Sequence, residues 1–305
     1  MKRFAVLLII LLCGCIDSTE IKIPATSPIL VIDALISDQP SQSLIRLGWS
    51  FNLGEVCAEY GTFVGPCSID NSTGPFKVEG TLNITDLDST HTYSTSFGMK
   101  DKTGLIEIYP DFTGKVLHRY RLDINILYEG VTSAYSSETR MEQTPVISDI
   151  GYVIRKGDVG KEDNYVPLIS FTDLFPEKEN YYLFEMCLSS VNGNTYCGYG
   201  NRSWPYSIIS DKFLPTNVTG LSIDDGATVA KYAEFYPYYS PGDGLQVKMY
   251  SITKETFEFY KALLAQFDND GGGYRPTPST PPGNIVGDAI GLFRATSESF
   301  AIVYP

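Results

Sequence analysis

"HRYRLDINILYEG", residues 118–130, sets apolar and polar side chains in alternation. Tyr120, Leu122, Ile124 and Ile126 share one side, and Arg119, Arg121, Asp123 and Asn125 the other. A period of two belongs to an extended strand with one face on a core and one in water. After Gly130, "TSAYSSETRM" (132–141) reads as the next strand. Upstream, "SPILVIDALISD" (27–38) and "SLIRLGWSF" (43–51) flank the turn Asp38-Gln39-Pro40 as a hairpin. "FKVEGTLNITD" (76–86), "HTYSTSF" (91–97) and "GLIEIYP" (104–110) complete about seven strands. Short strands with frequent turns predict an immunoglobulin-like or transthyretin-like sandwich over 27–143.

"EQTPVISD" (142–149), punctuated by Pro145, marks a boundary, and residues 147–305 read as a second β-rich domain. Its clearest strands are "ENYYLFEMCLSS" (179–190), "NTYCGYG" (194–200), "ATVAKYAEFYPYY" (227–239) and "GLQVKMYSI" (244–252). One segment changes period. Phe257, Tyr260, Leu263, Leu264 and Phe267 recur at helical spacing, Thr253 can cap the start, and Glu255 suits the positive end of the dipole. The spacing predicts one helix over about 254–267. The expected architecture is mainly β, two tandem sandwiches with a single helix near the C-terminus.

Composition narrows the function. A net charge of −13 and a pI near 4.6 oppose nucleic-acid binding, which needs a basic face. Tyr (21), Phe (16), Gly (27) and Pro (18) are the usage of strands joined by turns.

The start of the chain reads as an address. Lys2 and Arg3 precede an apolar run from Phe4 to Leu12, too short to span a bilayer and of signal-peptide length. Leu12-Cys13-Gly14-Cys15 then fits a bacterial lipobox, with a small residue before a cysteine that is lipidated and becomes the new N-terminus. Cys15 fits; Cys13 does not, because Leu12 stands before it. Residues 1–14 are thus expected to be a signal peptide and 15–26 a lipidated tether. The implied partner is outer-membrane lipid, held through acylated Cys15 by more than one chain.

Cys57, Cys67, Cys187 and Cys197 remain, and an even number in an exported chain suggests disulfides. Four cysteines allow three pairings, of which 57–67 and 187–197 are the local one. For the second pair, strand-like residues flank Asn192-Gly193, a hairpin signal. A three-residue loop of Val191 to Gly193 sets Cys187 opposite Cys197, whereas a two-residue turn would set it opposite Gly198, so the bridge implies the longer loop or a bulge. Zinc is disfavoured by the spacing and by the presence of only two histidines.

No catalytic constellation stands out. His91 and His118 read as surface residues, and no Gly-x-Ser-x-Gly elbow or phosphate-cradling glycine loop is found. Asp268 and Asp270 in "DNDGGG" form a weak calcium candidate that lacks a third acid and a terminal Glu. No cofactor is expected. The aromatic concentrations suggest contact with a ligand or partner: Trp204 and Tyr206 in "NRSWPYS" (201–207), and Tyr236, Tyr238 and Tyr239 in "YAEFYPYYSPGDG" (232–244). Consecutive aromatics in a strand cannot all face one core, and Tyr and Trp give broad amphipathic contact area.

Three stretches together carry a family resemblance: "CIDSTEIKIP…PILVIDALISDQP", "RYRLDINILYEGVTSAYSSETRMEQTPVISDIGY", and "VKMYSITKETFEFYKALLAQ" with "PTPSTPPGNIVGDAIGLFRATS". The most specific part is Gly283, Asn284 and Ile285 followed by Gly291 and Phe293. The chain resembles the Bacteroidota lipoprotein family called domain of unknown function 4249. The resemblance implies an outer-membrane lipoprotein associated with a TonB-dependent receptor, and it brings no catalytic residues. The expected function is that of a lipid-anchored, cell-surface binding protein accessory to a TonB-dependent nutrient transporter. The alternatives are a fimbrillin-like structural subunit and, third, a surface hydrolase.

Overall fold

A computed structural model describes residues 29–49, 78–99, 105–128, 130–155, 164–190, 195–197, 206–223, 242–268 and 281–305. The first strands are β1 (Leu30–Ser37), β2 (Leu44–Trp49), β3 (Val78–Asp86), β4 (Thr92–Met99), β5 (Leu105–Ile108), β6 (Arg119–Tyr128) and β7 (Val131–Arg140). After them come β8 (Ile147–Arg155), β9 (Asn164–Thr172), β10 (Tyr181–Ser189), β11 (Thr195–Cys197), β12 (Tyr206–Ser210), β13 (Asn217–Ser222) and β14 (Gly244–Ile252). Helix α1 (Lys254–Asp268) and the closing strands β15 (Ala289–Thr296) and β16 (Glu298–Val303) complete the order.

Two sheets, β15-β1-β2-β5 and β4-β3-β6-β7, form the first sandwich. The alternation in β6 is realised: Tyr120, Leu122, Ile124 and Ile126 are buried between the sheets. They meet Leu30, Ile32, Ala34 and Ile36 of β1, Ile45 and Leu47 of β2, and Val78, Leu82 and Ile84 of β3. Sheets β13-β9-β8 and β11-β10-β14-β16 form the second sandwich, with β12 sharing the β11 edge of β10. Its core holds Ile169 and Phe171 on one side and Tyr182, Phe184, Val247 and Met249 on the other.

Strand β15 joins the first sandwich although it lies far beyond residues 143–147, where the chain leaves it. It runs parallel to β1, in register from Leu30↔Ala289 to Ser37↔Thr296. One face of β15 gives Phe293 and Ala295 to the first core. The other gives Leu292 to a third apolar cluster with Leu183, Ile252 and Tyr260. That cluster is the helix contact. Thr253 caps α1, accepting from the Thr256 amide at 3.3 Å, and Phe257 and Tyr260 pack on the back of the second sandwich. The helix begins at the expected cap and ends one residue beyond the expected span.

Candidate functional site

The passage between the sandwiches is knitted by side-chain hydrogen bonds. Only Ser297 separates β15 in the first from β16 in the second. Residues 141–146 cross beside it, and the two crossings are spliced. The Thr144 amide donates to Ser297 Oγ at 2.9 Å, Ser297 Oγ donates to the Glu142 carbonyl at 2.8 Å, and Thr144 Oγ1 donates to the Ser297 carbonyl at 2.7 Å. Ser251 joins through its amide to Thr144 Oγ1 at 2.7 Å and its hydroxyl to the Gln143 carbonyl at 3.0 Å. From the first sandwich, Asp38 accepts from the Glu298 amide at 3.1 Å. Buried polar groups are costly unless partnered in this way.

A second fastening explains the most specific motif in the sequence. Segment 283–286 lies between β7 and β15. Val286 exchanges backbone hydrogen bonds with Ser136, and Ser137 Oγ donates to the Asn284 carbonyl at 2.8 Å. The Asn284 amide side chain mimics a strand partner for Phe293, donating to its carbonyl at 2.7 Å and accepting from its N–H at 2.8 Å. Gly283 sits on Gly291, where a β-carbon would come 2.1 Å from the Gly291 oxygen. Gly291 has φ of +134° and would place a β-carbon 1.9 Å from the Ile32 oxygen. Gly283, Asn284, Ile285, Gly291 and Phe293 thus form a latch along the first sandwich, not a ligand constellation.

Beside these fastenings lies a hollow of about 560 Å³. The first sandwich lends it Arg119, Glu138 and Arg140, the crossing Glu142, and the loop before β10 Phe175, Lys178 and Glu179. Ser251 and the start of α1, Thr253 to Glu255, close it. A smaller hollow of about 300 Å³ adjoins it, sharing Glu179, Tyr181 and Lys254 and running between α1 and the 3-10 turn Asp211–Phe213. Glu142 holds Lys178 at 3.4 Å and Arg140 at 4.0 Å. Glu179 is held below the usual carboxylate range, first by its hydrogen bond from Ser210 and against desolvation. A polar, mixed-charge trough with aromatic inserts can hold a ligand with charges of both signs.

Two other clusters carry unusual protonation. Asp86 is buried, and burial works against its charge. Hydrogen bonds from Ser89 and His118 outweigh burial and hold its carboxyl below the ordinary value. His118 Nδ1 therefore donates to both Asp86 oxygens, at 3.0 and 2.9 Å. His118, expected at the surface, is only 28% exposed, and Leu117 before it has a positive φ of 68°. On the helix-facing side of the second sandwich, the Tyr250 hydroxyl lies 3.1 Å from both Glu185 and Glu298, and Lys248 pairs with Glu298 at 3.3 Å. Burial raises the Glu185 carboxyl, with Lys248 and Tyr250 offsetting part of the effect, and drives the Tyr250 phenol far above its ordinary value. The Tyr250 hydroxyl donates toward both carboxylates, and Lys248 pairs with Glu298 beside them.

Among the residues singled out in the sequence, Cys187 and Cys197 form a disulfide with Cα atoms 4.1 Å apart, in the expected register. Glu185 approaches their sulfurs, but both thiols are spent in the bond, so the group offers no metal site. Tyr206 opens β12 and Asp268 ends α1. Cys15, Cys57, Cys67, Trp204, Tyr236, Tyr238, Tyr239 and Asp270 lie outside the described residues. The hollow's residues come from five separate stretches, with no contiguous motif to announce them.

Comparison with known proteins adds family but not activity. No curated protein matches the chain. The FN1–FN3 domains of chicken CNTN1 superpose with a TM-score of 0.26 at 8% identity, covering 75% of this chain and 62% of that one. Chicken interferon gamma receptor alpha chain gives 0.20 at 10% identity, covering 74% and 89%. Scores this low carry no functional argument, and the sandwich assignment stands on the sheets themselves. The model of the family described as "Domain of unknown function (DUF4249)" matches residues 16–300, and the chain belongs to that family.

Proposed function

We propose that this protein is a lipid-anchored binding protein of the outer membrane and cell surface, working as an accessory to a TonB-dependent nutrient transporter. The observation that carries the binding role is the polar hollow at the seam, walled by both sandwiches and the helix start. The anchor rests on Cys15 behind its signal-like run. The shape of the first sheet supports a binding module over a fimbrial subunit. A donor-strand polymer must give up a strand, and β1 is paired along its length with β15 and for six residues with β2. The test is metabolic labelling with a palmitate analogue in the native bacterium, followed by cross-linking and purification. Label that is lost in Cys15→Ser, with co-purification of a TonB-dependent receptor, is the expected result. An unlabelled, freely soluble chain overturns the anchor, and surface filaments built from this chain overturn the binding role.

A further inference from the structure

The end of the first sandwich far from the seam is apolar. β7 runs beside β15, and the bridge from Glu142 to Thr296 marks the seam end of both. Their starts, Val131 and Ala289, therefore share the other end, where Leu30 pairs with Ala289 and Trp49, and Val78 with Tyr128. Five aliphatic side chains stand exposed close to that end: Ile29, Leu105, Leu127, Val131 and Ile290, at 37% to 64%. On the outer face of sheet β15-β1-β2-β5 the apolar positions are continuous. Ile290, Val31, Gly48 and Leu105 are successive register partners across all four strands. The next row inward on that face turns ionic, with Asp33 3.7 Å from Arg46 and Arg46 2.9 Å from Glu107. Trp49 and Tyr128 lie at the same end, half-buried against the core. Among the described residues, Glu79 and Asp288 add charge at this rim, and no base does.

Scattered apolar side chains are ordinary surface, but a row that runs unbroken across a sheet is not, and this row coincides with the point where the chain enters the sandwich. Ile29 follows Cys15 by 14 residues, a length that spans at most about 50 Å. We infer that this end of the first sandwich rests on the outer-membrane lipid surface, with its aliphatic rim and the rings of Trp49 and Tyr128 at headgroup level. Aliphatic side chains gain by leaving water there, and Trp and Tyr favour a boundary with one apolar and one wet side. With acids and no base at the described rim, the contact is apolar and owes nothing to anionic headgroups. The ion-paired row of Asp33, Arg46 and Glu107 stays in water and limits the depth. The hollow lies at the opposite end of β6, about 30 Å away for ten residues of strand. The same seating therefore turns it away from the bilayer. The inference rests on the reading of the chain as lipid-anchored and names the face that meets the lipid.

The experiment holds residues 16–305 on phosphatidylcholine vesicles through an N-terminal hexahistidine tag and nickel-chelating lipid, which stand in for the acyl chains. In Trp204→Phe the sole tryptophan is Trp49, and bromines on the lipid acyl chains quench it only where it reaches the bilayer. Quenching relative to unbrominated lipid is expected, and added salt should leave it unchanged. It should be lost in Leu127→Ser/Val131→Ser and in Leu105→Ser/Ile290→Ser, all at exposed positions, with folding checked by circular dichroism. No quenching, equal quenching in both variants, or quenching that salt abolishes overturns the inference. Sedimentation showing that the untethered chain pairs with a second copy through the same rim also overturns it. Because the tag replaces acylation, a failure here leaves the Cys15 reading standing. An unlabelled Cys15 in the native bacterium overturns the anchor, while the quenching still reports on the rim.

Discussion

At the residue scale, single side chains set how stability responds to pH, and two acids act in opposite senses. Asp86 has its folded pKa lowered, so the stability it adds is present above the ordinary aspartate value and is lost as pH falls through the folded value. Asp86→Asn should therefore cost about 1–2 kcal/mol at neutral pH, and the gap to the parent should close on acidification. Urea titrations at several pH values measure both. Glu185 has its folded pKa raised by burial. Its contribution is greatest below the ordinary glutamate value and declines as pH rises through the folded one. Glu185→Gln should be more stable than the parent near pH 7 and lose that advantage in acid. A variant that is destabilised at every pH would refute the burial-raised Glu185 carboxyl. Gly291 makes the steric case. Alanine there meets the Ile32 oxygen at a φ that L-residues rarely adopt, and a loss on the order of 3 kcal/mol is expected from thermal unfolding of Gly291→Ala.

At the element scale, β15 and the β10–β11 hairpin matter most. β15 is packed on both faces, so Phe293→Ala should open the first core and cost about 3–5 kcal/mol. Hydrogen exchange in that variant should rise in β1 as well as β15, because the two share eight register pairs. The Cys187–Cys197 bond closes a short loop, and removing it as a double serine variant should cost about 2–3 kcal/mol by denaturant titration. These elements differ in how far the sequence revealed them. Alternation at Tyr120 to Ile126 named a strand and its buried face, and Thr253 with the spacing of Phe257 and Tyr260 named a helix and its start. The hairpin register followed from taking Val191 to Gly193 as a three-residue loop, where a two-residue turn would have set Cys187 opposite Gly198. The pairing of β15 with β1 has no local signature, since parallel strands join residues about as far apart as the chain allows and nothing near Leu30 mentions Ala289. The motif at Gly283 to Phe293 was visible as a pattern, but its meaning lay in backbone packed so closely that an added β-carbon at either glycine would clash, which only three dimensions display. His118 was read from its neighbours in sequence, and the buried Asp86 that holds it lies 32 residues away, beyond β4 and β5.

At the scale of the whole molecule, the described residues belong to one compact unit in which three apolar clusters meet along β15 and the second sandwich. Calorimetry of the chain should give one endotherm for the two sandwiches. Two well-separated endotherms would mean that the splice at Ser297 and Thr144 does not couple them. The seam residues Arg119, Glu142, Lys178 and Lys254 could not be grouped from sequence for the same reason that the sandwiches cohere: each comes from a different crossing or loop, and only their assembly defines a site.

On the proposed binding role, the splice also bears on the kinetics of capture. Two chain crossings run side by side and are bonded to each other through Ser297 and Thr144, so neither crossing is left slack to act as a hinge. A trough walled by parts that cannot swing is a keyhole and not a jaw. A guest finds it already shaped, its on-rate reflects collision and orientation without a closing step, and selectivity must come from how long each guest stays.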